Sequence, residues 1–172
     1  MDISVIWIPE TSAGERLIEI RKPLAAHAGA SPGYYPHLTL GVYYGVPFEP
    51  LDAYTRKFAM RIHQFSVRYT KLVQLTPAIL ALEVENKGAV QSYYAEYHKE
   101  FEEYADEWTH KGEGKYLPHS TLLYLEKPED RNHLADADTG FEPFDAKIVK
   151  VQLSRFYEEG RYEILSSYDL DE

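Results

Sequence analysis

Apolar runs separated by turn-forming residues divide the chain into strands and helices that come twice in the same order. Residues 3–8 alternate enough to form a buried strand, and Ser12-Ala13-Gly14-Glu15 fits a capping box that opens a helix. That helix is expected to run to about Ala28, where Gly29 stops it. A turn-rich stretch from Gly29 to Gly33 leads into a strand over about 37–44. Gly45-Val46-Pro47 breaks it, and Leu51 to Gln64 reads as a helix with Leu51, Tyr54, Phe58 and Ile62 on one side. Phe65 to Leu75 returns as a strand, and Thr76-Pro77 marks a boundary.

The order then begins again. Ile79 to Val84 is a strand, and a helix is expected from about Lys87 to Thr109. Its stripe of Val90, Tyr94, Tyr97, Phe101, Tyr104 and Trp108 recurs at steps of four and three, a packing face that leaves His98 in solvent. Gly112-Glu113-Gly114 turns the chain into a strand over about 117–125, and Pro128 to Ala137 reads as a short helix. Lys147 to Phe156 is a strand, and Glu159-Gly160 turns into a closing strand over about 161–169. Both halves read β-α-β-α-β. The pattern therefore predicts an α+β protein, one two-lobed domain of duplicated units with largely antiparallel sheets around a central groove. The first lobe spans about 1–75, and the second about 78–157 plus the C-terminal strand.

The middle strand of each half carries the same frame. Tyr34-Tyr35-Pro36-His37-Leu38-Thr39-Leu40 and Tyr116-Leu117-Pro118-His119-Ser120-Thr121-Leu122 share Tyr-x-Pro-His-x-Thr-Leu, with the histidines 82 positions apart. With seven histidines in 172 residues, chance alone would give roughly 0.6 His-x-Ser/Thr triplets. Two triplets would therefore mean little without the shared Tyr, Pro and Leu, which make an internal duplication the simpler reading. On a strand, residues i and i+2 share a face. His37 and Thr39 then point one way while Leu38 and Leu40 enter a core. His119 and Thr121 do the same, with Ser120 and Leu122 behind them. The proline before each histidine holds the entry extended and ends any preceding helix.

Composition narrows the classes of function. The 172 residues, 44% of them hydrophobic, suffice for a core, and no apolar run approaches a membrane span. The start lacks a basic n-region and reads as a first strand, not a signal peptide. With no cysteine there is no disulfide, thiol nucleophile or thiolate metal site, which favours a soluble, cytoplasmic protein. A net charge of −10 argues against an extended nucleic-acid footprint, though not against a small anionic ligand in a cleft.

If the middle strands face each other across the groove, two imidazoles and two hydroxyls converge. One neutral imidazole can take a proton from an attacking oxygen while the other, protonated, gives one to the leaving oxygen. An ordinary pKa of about 6.5 keeps both forms accessible near neutrality. The hydroxyls can hydrogen-bond non-bridging phosphoryl oxygens as charge shifts there. In-line displacement at a phosphodiester, above all a strained cyclic one, matches this arrangement without a metal or cofactor.

These paired motifs, the duplicated order of elements and the length resemble the two-histidine (2H) phosphoesterase superfamily, which includes the 2′-5′ RNA ligases and nucleotide cyclic phosphodiesterases. The resemblance spans essentially the whole chain. It implies metal-independent cleavage of 2′,3′-cyclic or 2′-5′-linked phosphodiesters of nucleotides or short RNA ends. It further implies His37 and His119 as general acid and base, in an order left open, and Thr39 and Thr121 as phosphate ligands. Gly41 and Leu123 stand where many relatives carry a basic residue, and this argues against tight binding of long RNA. Lys115, Lys127 and Arg155 are near in sequence without being assigned a role.

Other readings remain open at this level. A non-catalytic module could bind a nucleotide or RNA end through the same groove, and a ligase would run the reaction backwards on two RNA ends. A metal site has little support, with no His-x-x-x-His, no His-Glu-x-x-His and no cysteine. Among the aromatic residues, Tyr35, Tyr43, Tyr124 and Phe156 are candidates to flank a nucleobase, each as readily a core residue. The expected partner is a small nucleotide or RNA-terminus substrate, with no extended nucleic acid and no membrane, bound by a monomer.

Overall fold

Each half of the chain opens as strand, helix, strand and closes on a third strand that leaves its own neighbours. The computed structural model describes residues 2–28, 34–110, 116–125, 139–157 and 161–172. The first half holds β1 (Asp2–Pro9), α1 (Thr11–Ala28), β2 (Leu38–Tyr44), α2 (Phe48–Ala59) and β3 (Phe65–Thr76). The second holds β4 (Ile79–Val84), α3 (Ala89–Tyr97), a 3-10 turn (Glu102–Tyr104), β5 (His119–Tyr124) and β6 (Phe144–Phe156). A last strand, β7 (Tyr162–Asp169), follows.

Among the described residues the strands form one seven-stranded antiparallel sheet with the order β2-β1-β6-β3-β4-β5, and β7 also pairs with β6. Exchanging the halves, so that β1, β2 and β3 trade places with β4, β5 and β6, leaves that order unchanged. The topology thus carries the repeat first seen in the motifs. It also shows β3 beside β4 and β6 beside β1, so each group of three strands borrows its third from the other half of the sequence. β6 reaches both groups because it is long: residues 144–148 pair with β3, and residues 148–154 pair with β1.

The core follows from these neighbours. β1 is buried from Ile3 to Pro9 because β2 and β6 flank it. Trp7 meets Phe65 of β3 edge-on at 5.2 Å between ring centres. Leu17 and Leu24 of α1, and Leu51 and Phe58 of α2, are wholly buried against the sheet. Each such side chain contributes about 1.5–3 kcal/mol. Gly45, with φ of 68°, makes the left-handed turn that ends β2 before α2.

Several elements differ from their sequence patterns. α1 begins at Thr11, and the Gly14 N–H donates to the Glu10 carbonyl, so Ser12 lies in the first turn and not at the cap. α2 begins at Phe48, three residues earlier than expected, because Pro47 supplies the extended cap; it ends at Ala59, leaving buried Ile62 beyond it. α3 stops at Tyr97 instead of running to Thr109. Val90, Tyr94 and Tyr97 do pack inward, but Phe101 is left-handed (φ 60°) and Trp108 is 57% exposed. His98, expected in solvent, is buried at the end of α3. Its Nε2–H donates to the Leu40 carbonyl of β2, so the side chain turns to the sheet where the helical stripe stops. β6 starts at Phe144, three residues early. The Gly112-Glu113-Gly114 turn, the Pro128–Ala137 helix and the Glu159-Gly160 turn lie outside the described residues.

Candidate active site

The frame Tyr-x-Pro-His builds the same local structure twice. In the first copy the Nδ1 of His37 is 2.7 Å from the Tyr35 carbonyl oxygen. In the second, the Nδ1 of His119 is 2.7 Å from the Leu117 carbonyl oxygen. A carbonyl only accepts, so Nδ1 carries the hydrogen in both rings. Nε2 is then the basic atom of each neutral imidazole, and the donor of each protonated one. The intervening proline (Pro36 or Pro118) fixes φ, which holds the preceding carbonyl where the ring can reach it. Both prolines are buried.

Each motif strand bulges directly behind its threonine. On β2 the register passes from Val5↔Gly41 to Ile6↔Thr39, which skips Leu40. On β5 it passes from Leu80↔Leu123 to Ala81↔Thr121, which skips Leu122, the matching leucine. A bulge sets two residues against one and sharpens the local twist, often beside functional sites. Here it lets Leu40 and Gly41, and likewise Leu122 and Leu123, all face the core. His37, Thr39, His119 and Thr121 stay half-buried on the other face, as the alternation of the motif requires.

An extra residue in a strand leaves ladder groups to be satisfied elsewhere. The Leu40 carbonyl is met by the Nε2–H of His98 at 2.8 Å. With that hydrogen on Nε2, the neutral ring accepts at Nδ1 from the Tyr43 hydroxyl at 3.4 Å. Burial pushes the His98 pKa down, partly opposed by the Leu40 bond and by Glu102 at 3.3 Å.

The two motif strands are the ends of the sheet path, yet they meet. The Ser120 hydroxyl donates to the His37 carbonyl at 2.8 Å, and the Tyr116 hydroxyl donates to the Thr39 carbonyl at 3.1 Å. Through Ser120, covalent geometry and that bond hold the Cα atoms of His37 and His119 within about 11 Å. The pair share one electrostatic environment. Burial lowers the His37 pKa from 6.5 to about 4, its bond to Tyr35 opposes this, and charge on His119 lowers it further. The His119 pKa is also lowered by burial, against its bond to Leu117. Both residues keep some contact with solvent, so it is chiefly the walls around the rings that desolvate them.

For His37 that wall is aromatic. Phe156 stacks on its ring at 5.1 Å and 25°, and Tyr162 stacks on Phe156 at 5.7 Å. Tyr34 meets Phe156 edge-on at 4.6 Å, and its hydroxyl donates to the Tyr157 carbonyl. Phe156, a candidate to flank a base, is thus occupied with His37. Tyr43 is wholly buried behind β2 and cannot flank a ligand. Tyr35 and Tyr124 remain exposed beside the motifs. A broad surface depression of about 670 Å³, lined by Tyr157, Arg161, Tyr162 and Glu163, adjoins this wall through Tyr162.

Of the nearby cations, Arg155 donates to Glu163 at 3.1 Å, and Lys115 and Lys127 lie outside the described residues. Among the described residues, no three His, Asp or Glu side chains stand together as metal ligands. No helix among them is long and apolar enough to cross a membrane. Sequence reasoning did not find the parts played by Ser120, Tyr116, Phe156 and His98. The frame itself signalled Tyr116, since Tyr at that position is one of its repeated letters.

No protein-family model matches the chain, and no curated protein sequence does. Solved structures match over nearly its full length. TT0787 of Thermus thermophilus superposes with a TM-score of 0.70 at 20% identity, covering 99% of this chain and 98% of its own. E. coli LigT complexed with 3′-AMP gives 0.64 at 19%, with 99% and 98% covered. A structure described as a phosphoesterase gives 0.61 at 19%, with 99% of each chain covered. At such identities the likeness is one of fold, and it agrees with the sequence resemblance: this chain has the α+β fold shared by TT0787, E. coli LigT and that phosphoesterase.

Proposed function

We propose that the chain is a metal-independent phosphoesterase of the two-histidine superfamily, acting on 2′,3′-cyclic or 2′-5′-linked phosphodiesters of small nucleotides or RNA ends. One observation carries the reading. Two imidazoles, each fixed by its own main chain with Nδ1 protonated, come from opposite ends of a sheet to within about 11 Å between Cα atoms. A phosphoryl group between the two rings would be within reach of both.

In the hydrolysis of a cyclic phosphodiester, Nε2 of one neutral histidine removes a proton from water as the water oxygen bonds to phosphorus. One ring P–O bond breaks on the opposite side, and Nε2–H of the other histidine protonates the departing ribose oxygen. The product is a phosphomonoester, and the two histidines have exchanged protonation states. Thr39 and Thr121 share the faces of His37 and His119, and their hydroxyls would donate to the non-bridging oxygens. The relatives lend support at the level of ligands, since E. coli LigT has been crystallised with 3′-AMP, phosphate, ATP and NADP+. The palindromic strand order supports reading the chain as one duplicated, two-lobed domain.

The test is incubation with the four 2′,3′-cyclic nucleotides, then with 2′-5′ dinucleotides, following phosphomonoester formation. Turnover that persists in EDTA and falls at least ~10²-fold in His37→Ala and in His119→Ala is the expected result. Nucleotide binding without turnover would instead make the groove a recognition module, and near-normal turnover in either variant would reject the assignment.

A further inference from the structure

Because the catalytic motifs sit at opposite ends of the sheet path, the sheet ladder between them does not by itself fix their separation. Five strand-to-strand pairings intervene between β2 and β5, and twist accumulates across each. A direct link closes the circuit. Ser120 is the residue after His119, and its hydroxyl donates to the main-chain carbonyl of His37. Tyr116 precedes His119 by three, and its hydroxyl donates to the carbonyl of Thr39. Both bonds run from side chains of the second motif to main-chain oxygens of the first.

The direction of the Ser120 bond is forced. The His37 carbonyl can only accept, so the single Ser120 hydrogen is committed to it. Tyr69 of β3 lies 2.9 Å from the Ser120 oxygen and must therefore donate. The relay runs Tyr69 O–H to Ser120 O–H to the His37 carbonyl, with Ser120 and Tyr69 both wholly buried. Tyr69 is itself held, stacked on Phe144 at 4.9 Å and 26°. Tyr116 is held too, lying flat on Tyr94 at 3.8 Å and 4°. Both hydroxyls thus come from rigid supports.

The first motif offers no counterpart to Ser120: the matching residue is Leu38, which has no hydroxyl. The clamp is therefore a one-sided feature added to a symmetric frame. A core position would keep an apolar residue there unless the hydroxyl had a partner, because burying an unmatched one is costly.

We propose that Ser120 is a positioning residue which, with Tyr116, sets the separation of the two imidazoles across the groove. This deepens the two-histidine reading and rests on it for its catalytic consequence. Its geometric content stands apart from turnover. Misplacement of reacting groups by an ångström can lower a rate by ~10²-fold. Losing the clamp should therefore lower kcat by ~10–100-fold while KM, set by groups that touch the nucleotide, moves less than about threefold.

The experiment uses the full chain with Ser120→Ala, Tyr116→Phe and the double variant. Ser166→Ala, which deletes a hydroxyl bond to Asp52 away from the groove, is the control for simple loss of a hydrogen bond. The first readout needs no substrate. NMR titration of the imidazoles measures how far His119→Gln raises the His37 midpoint, in the wild-type background and in the double variant. The proposal predicts that this mutual effect shrinks by at least half without the clamp; an unchanged effect overturns it. The second readout is 2′,3′-cyclic nucleotide hydrolysis. A kcat loss of ~10–100-fold in the double variant with Ser166→Ala within twofold supports the proposal, and a double variant within twofold of wild type overturns it. Should the wild type hydrolyse nothing, the phosphoesterase reading fails while the titration still decides the positioning claim. Should Ser120→Ala not fold, Tyr116→Phe, which keeps its stacked ring, carries both readouts.

Discussion

Replacing His98 by leucine tests how the first motif strand is held in shape. Leucine roughly conserves the buried bulk, so the change is chiefly the loss of two polar partners. The Leu40 carbonyl, displaced from the ladder by the bulge, loses the Nε2–H donor at 2.8 Å. The Tyr43 hydroxyl, on a wholly buried ring, loses its acceptor at 3.4 Å. A buried group left unmatched costs about 1–3 kcal/mol, and the 3.4 Å bond is weak enough to fall at the bottom of that range. A total of about 2–4 kcal/mol follows, which for a chain of this size lowers Tm by roughly 5–15 °C. Tyr43→Phe alone removes the second group at its source and should cost about 1 kcal/mol or less. In the double variant no Tyr43 hydroxyl remains to be orphaned. The combined loss should therefore fall short of the sum of the single losses by about 1 kcal/mol. Thermal unfolding followed by calorimetry at neutral pH, where His98 is uncharged, measures all three. A Tm for His98→Leu within 1 °C of wild type, or strict additivity in the cycle, would refute the account of the bulge.

Other outcomes follow from the same geometry. Because burial holds His37 near about 4 against 6.5 when unfolded, the unfolded chain binds the extra proton between those values. The stability linked to this ring is complete above pH 6.5 and drains away as pH falls toward 4; His37→Gln should flatten that slope in denaturant titrations, and an identical slope would contradict the assignment. Gly41→Ala would place a methyl 2.6 Å from Cε2 and 2.7 Å from the hydroxyl of Tyr43. With that ring buried and bonded to His98, overpacking should cost about 1–3 kcal/mol, read as a lower Tm; an unchanged Tm would show that the ring yields. Phe156→Ala opens one face of the His37 ring to water, so its NMR titration midpoint should move up toward 6.5. A midpoint that stays put would mean that Phe156 does not desolvate it.

What could be read from the sequence was what strand alternation and proline geometry determine locally. The Tyr-x-Pro-His-x-Thr-Leu frame placed His37 and Thr39 on one face and Leu38 and Leu40 on the other, and the structure keeps both assignments. Alternation turns Ser120 away from the histidine face, but it does not say what lies behind a strand. Here it is Tyr69 and the His37 carbonyl. Gly41, beside Leu40, is the kind of strand glycine that marks a bulge, but no glycine or proline marks the matching bulge at Leu122. His98 follows from the first of these, since a histidine between acidic residues on a helix looks solvated until a displaced carbonyl needs its proton. The helical stripe overstates the length of α3 for the same reason. The apolar spacing runs on to Trp108, but the tertiary bond made by His98 wins over periodicity. The exchange of β3 and β6 between the strand groups is a long-range pairing, invisible to any local pattern.

The central claim, that one neutral and one charged imidazole act together on a single phosphorus, meets its most direct test in the pH dependence of kcat/KM on a 2′,3′-cyclic nucleotide. The profile reports the free enzyme, in which both pKa values lie below the ordinary 6.5. The account predicts a bell with its maximum below pH 6.5, falling on the acid side as the base takes up a proton and on the alkaline side as the acid loses one. Activity that climbs with pH and stays level to pH 9 would leave no role for a protonated histidine, and the account would be wrong.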